Sequence, residues 1–187
     1  MRRLQLAFAV FAILQLDAAA ALGFGASKPK LTVCMDPRND MEAIMSARNL
    51  ASRMFTEAGI AIEWRGWNCP AEAIRIKLSY QTPPKLQPEA LAYALPRQGH
   101  EIVLFYNRMK RTIESYRFSY LLAHVVVHEI THILQGVDRH SEKGLMKAKW
   151  DWQDYAQMDG MGLAFTKDDI EWIHRGIERR AETYAQK

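Results

Sequence analysis

The chain has 187 residues, of which 49% are hydrophobic and 25% are charged, and its formal net charge is +4 at pH 7. This modest charge comes without a long basic stripe, which argues against a nucleic-acid partner. The small basic groups at 108–111 and 175–180 are interpreted as solvated faces. No internal repeat is visible, and about 160 residues remain after the first apolar segment, which suits one domain with its own core.

The first residues have the features of an export signal. Met1, Arg2 and Arg3 precede an almost uncharged run from Leu4 to Leu16, and small residues follow at 18–21. This order is typical of a secretory signal peptide, and the run is shorter than the roughly 20 residues that a bilayer-spanning helix needs. We therefore predict a signal peptide over residues 1–21, cleaved between 20 and 26. The remainder, 27–187, is predicted to be a single domain, secreted or periplasmic and without membrane attachment.

Two cysteines, Cys34 and Cys69, are present. An even pair in an exported protein predicts a disulfide. The bond would close a loop of about 35 residues and would stabilise the protein mainly by restricting the unfolded chain. Metal binding by the cysteines is the weaker alternative, since they lie far apart in sequence and neither belongs to a CxxC motif.

The first half of the chain predicts strands separated by one helix. The first helix is expected to begin near Asn39, with Glu42 in the position of a capping box, and to end at Gly59. Prolines predict a loop from Gln81 to Glu89. The strands are predicted from runs of β-forming or alternating residues at Leu31–Met35, Ile60–Arg65, Ile74–Tyr80 and Glu101–Tyr106.

The second half is predicted to be helical. A helix over about Tyr120–Gln135 contains three consecutive valines, so burial must override their poor helix propensity. A short helix is expected near Trp150–Met158. Thr166 and Asp169 stand in a capping-box relation before a C-terminal helix. The fold class is therefore α+β, with a small mixed sheet backed by helices and a helical C-terminal part.

The predicted central helix carries the sequence His128-Glu129-Ile130-Thr131-His132. Histidines four residues apart share one helix face, so their imidazoles can bind one metal ion. The glutamate between them can then face the water bound to that metal, which is the HExxH arrangement of zinc hydrolases.

A catalytic zinc ion usually has three protein ligands and one water. The helix is expected to end at Gly136, which readily adopts a left-handed turn, and the chain can then double back toward the metal. His140 is the preferred third ligand because a neutral imidazole suits zinc. Asp138 is the rival, because a carboxylate also binds zinc.

This segment resembles the metzincin zinc proteases, whose signature is HExxHxxGxxH with a methionine turn beneath the metal. Gly136 stands one place later than the family glycine, so strict spacing gives Asp138 as third ligand and a loop two residues longer gives His140. The segment also resembles short secreted bacterial proteins of metzincin type with HExxHx7H. In that group of proteins the likeness would extend from about residue 31 to the C-terminus, but only the region 128–150 is specific to the group.

The resemblance implies a zincin or metzincin-like catalytic domain that holds one Zn²⁺ ion. Met146 would supply the methionine turn, sooner than is usual in the family, and would pack below the zinc as a hydrophobic floor and not as a ligand. The strand Glu101–Tyr106 would form the upper rim of the cleft, where an extended substrate pairs edge to edge.

The proposed chemistry is hydrolysis of a peptide bond in a peptide or protein substrate. Glu129 would act as general base toward the zinc-bound water and then protonate the leaving amine. Tyr155 is the first candidate for stabilising the oxyanion. His124 shares the helix face of His128, but we interpret it as a hydrogen-bonded, partly buried histidine and not as a ligand.

Two other interpretations stay open. The chain could be a non-catalytic zinc-binding envelope or interaction protein on a protease-like scaffold, although such a protein has no use for Glu129 as a base. HExxH could also be accidental helix surface, although the nearby glycine, histidine and methionine argue against this. The protein is expected to be a monomer.

Overall fold

A five-stranded mixed sheet forms one layer of the fold in the computed structural model, which describes residues 28–83, 89–95, 100–160 and 162–185. The predicted signal peptide lies outside these residues. The strands are β1 (Lys30–Met35), β2 (Ala61–Arg65), β3 (Ile74–Ser79), β4 (Ala92–Ala94) and β5 (Glu101–Phe105). Their order across the sheet is β2-β1-β3-β5-β4.

All neighbours in this sheet are parallel except the last pair. Strand β1 pairs in parallel with β2 and with β3, and β3 pairs in parallel with β5. Strand β4 runs antiparallel to β5 and ends the sheet on that side. The predicted mixed sheet is therefore confirmed, and its antiparallel edge is β4.

Five helices accompany the sheet in the described part of the chain. They are α1 (Met41–Glu57), α2 (Tyr106–Thr112), α3 (Phe118–Gln135), α4 (Trp152–Met158) and α5 (Lys167–Ala185), with single 3₁₀ turns at Pro37–Asn39 and Ser115–Arg117. Helix α3 packs on α1, α5, β4 and β5, so it lies at the centre of the molecule. The predicted α+β class with a helical C-terminal part is confirmed.

The first helix begins one residue later than the sequence suggested. The cap is Asp40 and not Asn39, because the Asp40 carboxylate accepts a hydrogen bond from the backbone N–H of Ala43 at 3.3 Å. The same carboxylate also accepts from Lys110 Nζ at 3.0 Å. Two elements are therefore joined at this cap, which a local capping pattern does not report.

Strand β4 and helix α2 were not predicted. Strand β4 has three residues, and a segment so short carries little alternation of its own; its pairing with β5 forms it. Helix α2 begins directly where β5 ends, so Tyr106 belongs to the helix and not to the predicted strand. Each element depends on partners distant in sequence, which periodicity does not show.

Burial does override propensity in α3. Val125, Val126 and Val127 are almost completely buried, and the helix runs through them without interruption. Leu122, Val126, Ile130 and Ile133, which recur at helical spacing, are all buried. The free energy gained by burying this face outweighs the few tenths of a kcal/mol that β-branched residues cost a helix.

Helix α5 starts at its predicted capping box. Asp169 N donates to Thr166 Oγ1 at 3.1 Å, and Thr166 N donates to Asp169 Oδ2 at 2.9 Å. Further along α5, Gly176 lies against the backbone of α3, where an added Cβ would fall 1.6 Å from the Leu134 carbonyl oxygen. Only glycine permits this close approach of the two helices.

Cys34 at the end of β1 and Cys69 after β2 are joined by a disulfide, with their Cα atoms 6.1 Å apart. The structure thus contains the predicted bond. Within the described ranges, no helix combines the length and the apolar character needed to cross a membrane.

Candidate metal centre

Three histidine side chains converge at the C-terminal half of α3 and the segment that follows it. One ligand atom from each of His128, His132 and His140 lies within 4.8 Å of the others. The Nε2 atoms of His128 and His132 are 3.0 Å apart. His132 is buried, His128 is partly buried and His140 is exposed. The cluster is therefore open to solvent on the side of His140.

Backbone carbonyls orient the two helical histidines. His128 Nδ1 lies 3.0 Å from the Leu145 carbonyl oxygen, and His132 Nδ1 lies 3.3 Å from that of Val137. A carbonyl only accepts, so each Nδ1 carries the ring proton and each Nε2 keeps a free lone pair. This is the tautomer in which Nε2 binds a metal.

This donor set suits a cation. Burial lowers the pKa of His128 to about 3 and, together with the His140 ring, lowers the pKa of His132, so both imidazoles are neutral. Two unprotonated nitrogens at 3.0 Å repel each other unless a cation lies between them. Ligands about 2.0–2.1 Å from a tetrahedral zinc ion stand roughly 3.3 Å apart, close to this separation.

The segment that carries His140 doubles back after the helix, as predicted. Gly136 ends α3 in the left-handed conformation at φ 70°. Ser141 N then donates to the Met146 carbonyl oxygen at 2.8 Å, and Leu145 N donates to that of Ala164 at 3.0 Å. The first bond closes a turn, and the second joins this turn to the segment before α5. The carbonyl of Leu145, in this turn, orients His128.

Glu129 and Asp138 line the same cleft as the histidines. Desolvation raises the pKa of Glu129 to about 8, and the Asp138 carboxylate adds to the effect. A bound dication would oppose that shift, because it favours the ionised carboxylate. Asp138 is exposed, and the three-residue cluster found among the described residues includes His140 and not Asp138.

The cleft has a volume of about 810 Å³ and runs between β4 and the segment after Met146. One wall is formed by Ala92–Ala94 and the other by Lys147–Trp150. The expectation that Glu101–Tyr106 forms the upper rim is wrong, because β5 is paired on both sides, with β3 and with β4. Among the described strands, the one that lies at the edge of the sheet and lines the cleft is β4.

Met146 and Tyr155, the other predicted site residues, lie on this side of the molecule. Met146 is completely buried, next to the Leu145 whose carbonyl orients His128. Tyr155 is partly buried and lines the cleft, where burial raises the pKa of its phenol. Its backbone oxygen accepts a hydrogen bond from Arg117 Nη2 at 2.6 Å, which ties α4 to the start of α3.

His124 is fully buried and belongs to the framework of the site. Leu163 N donates to His124 Nε2 at 3.0 Å, so the ring proton is on Nδ1, which donates to the Tyr120 carbonyl oxygen at 2.7 Å. Both nitrogens are therefore occupied by protein groups. This agrees with its interpretation as a hydrogen-bonded histidine.

Two residues at the site were missed by sequence reasoning. Trp150 packs edge-on against His128, with ring centroids 5.5 Å apart, and its Nε1–H donates to the Leu145 carbonyl oxygen at 3.2 Å. Asp169 is fully buried and accepts hydrogen bonds from Arg139 and Ser141, on either side of His140. Asp169 was noticed only as a helix cap, and no local pattern indicated its longer-range contacts.

No protein-family model matches the chain, and no curated protein matches it. Among solved structures, the chain is similar to archaemetzincin from Methanopyrus kandleri, with a TM-score of 0.54 and 15% sequence identity. The match covers 84% of this chain and 99% of that chain. At this identity the likeness shows the fold alone, and the fold is metzincin-like.

Proposed function

We propose that the chain is an exported, zinc-dependent endopeptidase that hydrolyses peptide bonds in peptides or proteins. The observation that carries this proposal is the convergence of three histidines beside Glu129 in a cleft that also contains a free strand edge. The metzincin-like fold supports it, because α3 carries HExxH, the first part of the signature of that protease class.

His128, His132 and His140 would hold the ion. Asp138 was the alternative third ligand, and His140 is preferred because its ring lies 4.8 Å from that of His132 and 5.4 Å from that of His128, measured between centroids. When bound, zinc supplies Lewis acidity that acidifies water and polarises a carbonyl group.

Glu129 would move the protons of the reaction. It stands between the two helical histidines in sequence, and it lines the cleft without belonging to the histidine cluster. Such a carboxylate can accept a proton from water and then donate it to the amine nitrogen that leaves. An amide needs both steps, because its nitrogen is a poor leaving group until it is protonated.

The edge of β4 would bind the substrate backbone. Its partner β5 occupies one side of β4, and the residues of β4 line the cleft. An extended peptide can add to such an edge through backbone hydrogen bonds, and pockets for its side chains then set specificity. Tyr155, across the cleft, would stabilise the oxyanion.

Export is proposed from the N-terminal segment and is supported by the disulfide, which persists in oxidising compartments. Met146, which is completely buried, is proposed as the residue of the methionine turn. The protein would act as a monomer on peptide or protein substrates, with no nucleic-acid partner.

The function is tested by measuring bound zinc and the cleavage of a quenched-fluorescence peptide library, with and without 1,10-phenanthroline. Glu129→Gln should keep its zinc while turnover falls by about 10²–10⁴-fold, since the general base is lost. Glu142→Gln, which removes an exposed carboxylate from the neighbouring segment, is the matched control and should retain full turnover.

The third ligand is tested with the same two readouts. His140→Ala should lose zinc, and Asp138→Ala should keep it. The reverse result would assign the position to Asp138. Bound zinc without any chelator-sensitive cleavage would contradict the proposed protease activity and favour a zinc-binding interaction protein. The absence of bound zinc would mean that HExxH occurs on this helix by chance.

A further inference from the structure

His140 differs from the other two histidines in how its ring is held. The rings of His128 and His132 each hydrogen-bond to a backbone carbonyl. Within the described residues, no hydrogen bond reaches the ring of His140, and the residue is exposed. Apart from its contacts with the rings of His128 and His132, its position is set by the backbone on either side of it.

Both neighbours of His140 are attached to one buried carboxylate. Arg139 Nη1 donates to Asp169 Oδ1 at 2.8 Å, and Ser141 Oγ donates to the same oxygen at 2.6 Å. The side chain of Asp169 is 0% exposed, whereas that of Arg139 is 28% exposed. Removing one partner of such a buried, hydrogen-bonded pair leaves the other unsatisfied at a substantial cost.

The other oxygen of Asp169 attaches this segment to α5. Thr166 N and Thr166 Oγ1 donate to Asp169 Oδ2 at 2.9 and 2.7 Å. Helix α5 is in turn joined to the end of α3, where Arg179 Nη2 donates to the Gln135 carbonyl oxygen at 2.8 Å. Hydrogen bonds thus connect α3, which carries two of the histidines, to α5, and connect Asp169 of α5 to the segment that carries the third histidine.

We infer that Asp169 is a positioning residue for the third metal ligand, holding His140 against His128 and His132 through Arg139 and Ser141. This inference rests on the proposed function, because it takes His140 as a zinc ligand. A ligand on an exposed segment binds tightly only when its position is fixed before the metal arrives, since ordering it on binding would cost affinity. Asp169 itself neither belongs to the histidine cluster nor lines the cleft.

The test is a double-mutant cycle on the full chain, in which zinc affinity is measured by competition with a chromophoric chelator. Asp169→Asn should weaken zinc binding by about 10–100-fold, the usual effect of losing a group that orients a ligand. In the His140→Ala background, the same change should have no further effect on the much weaker zinc binding that His128 and His132 retain, because the ligand that Asp169 positions is gone. Loss of zinc affinity by the same factor in both backgrounds would show a general structural role and overturn the inference.

Asp40→Asn is the matched control. Asp40 also caps a helix and joins it to a second element, through Lys110, but it contacts no residue of the His140 segment. Its replacement should leave zinc affinity unchanged. Unchanged affinity in Asp169→Asn, with an intact circular dichroism spectrum, would also refute the positioning role.

Two further outcomes keep the test decisive. If Asp169→Asn fails to fold, Ser141→Ala and Arg139→Gln remove the two donors separately, and each should show a smaller loss of affinity that vanishes in the His140→Ala background. If His140→Ala itself leaves zinc affinity unchanged, His140 is not a ligand, and the inference that Asp169 positions the third ligand fails together with that assignment.

Discussion

His124 lies on the central helix one turn before His128 and stays neutral at ordinary pH. Burial, only partly opposed by its hydrogen bond to Tyr120 and by the Asp159 carboxylate, lowers the pKa of His124 to about 4. Protonation would place a second hydrogen on Nε2, directly against the Leu163 N–H. The charged form therefore costs both desolvation and one hydrogen bond.

This gives a pH dependence of stability with a defined sign. The ordinary pKa of histidine is 6.5 and the folded-state value about 4, so between these pH values the unfolded chain binds a proton that the folded chain does not. His124 should therefore contribute a fall of about 3 kcal/mol to the free energy of unfolding as pH drops through this window. Urea unfolding of the zinc-free protein between pH 7 and 4, compared with that of a variant without this histidine, measures the contribution.

His124→Gln provides the comparison. Glutamine can hydrogen-bond without titrating, so the pH-dependent loss of stability in the variant should be smaller than in the parent by roughly that amount. Parallel curves for the two proteins would mean that His124 does not carry the effect.

At the scale of elements, the contact between α3 and α5 keeps the parts of the site together. Helix α3 holds two of the histidines, and the first turn of α5 contains Asp169, which holds the segment of the third. The helices approach closely at Gly176, where a Cβ would meet the Leu134 carbonyl oxygen. The atom in the way is backbone, so it cannot move aside as a side chain would.

Gly176→Ala should therefore destabilise the protein, although alanine is the better helix former. We expect a loss of about 1–3 kcal/mol or more, the range for overpacking a close contact. Chemical denaturation with circular dichroism as readout measures the change.

Gly160→Ala is the control for this prediction. The nearest atom to its added Cβ would be 3.9 Å away, and its backbone is not left-handed, so its stability should change by less than about 0.5 kcal/mol. Equal stabilities for the two variants would show that the helices can separate without cost.

At the scale of the whole molecule, the sheet and the site are stabilised separately. The disulfide joins β1 to the loop after β2, on the strands farthest from β4 in the sheet order. The histidine cluster depends on α3, α5 and the segment between α3 and α4. Loss of the disulfide should thus lower stability without changing the metal centre.

Replacing both Cys34 and Cys69 by alanine should cost about 3–4 kcal/mol, from the entropy of closing a loop of this length in the unfolded chain. Zinc affinity should be unchanged, because neither cysteine lines the cleft. Thermal unfolding and chelator competition measure the two quantities. Weaker zinc binding in the folded variant would show that the sheet and the metal centre are coupled.

Local features of the sequence determined much of this fold. Helical spacing predicted α1 and α3, alternation predicted β3, and the pair Thr166 and Asp169 predicted the start of α5. The spacing of His128 and His132 also required their side chains to share a helix face. Each of these features depends on residues within a few positions of one another, and short-range geometry is set by backbone sterics and local hydrogen bonds.

Other features were decided only by the tertiary structure. Strand β4 exists through its pairing with β5, and His140 rather than Asp138 joins the cluster because of how the segment after Gly136 returns. Trp150 and Asp169 reach the site through contacts with α3 and with the loop that follows it. The physical reason is that long-range packing brings together groups separated by many residues, and their separation along the chain carries no signal of that proximity.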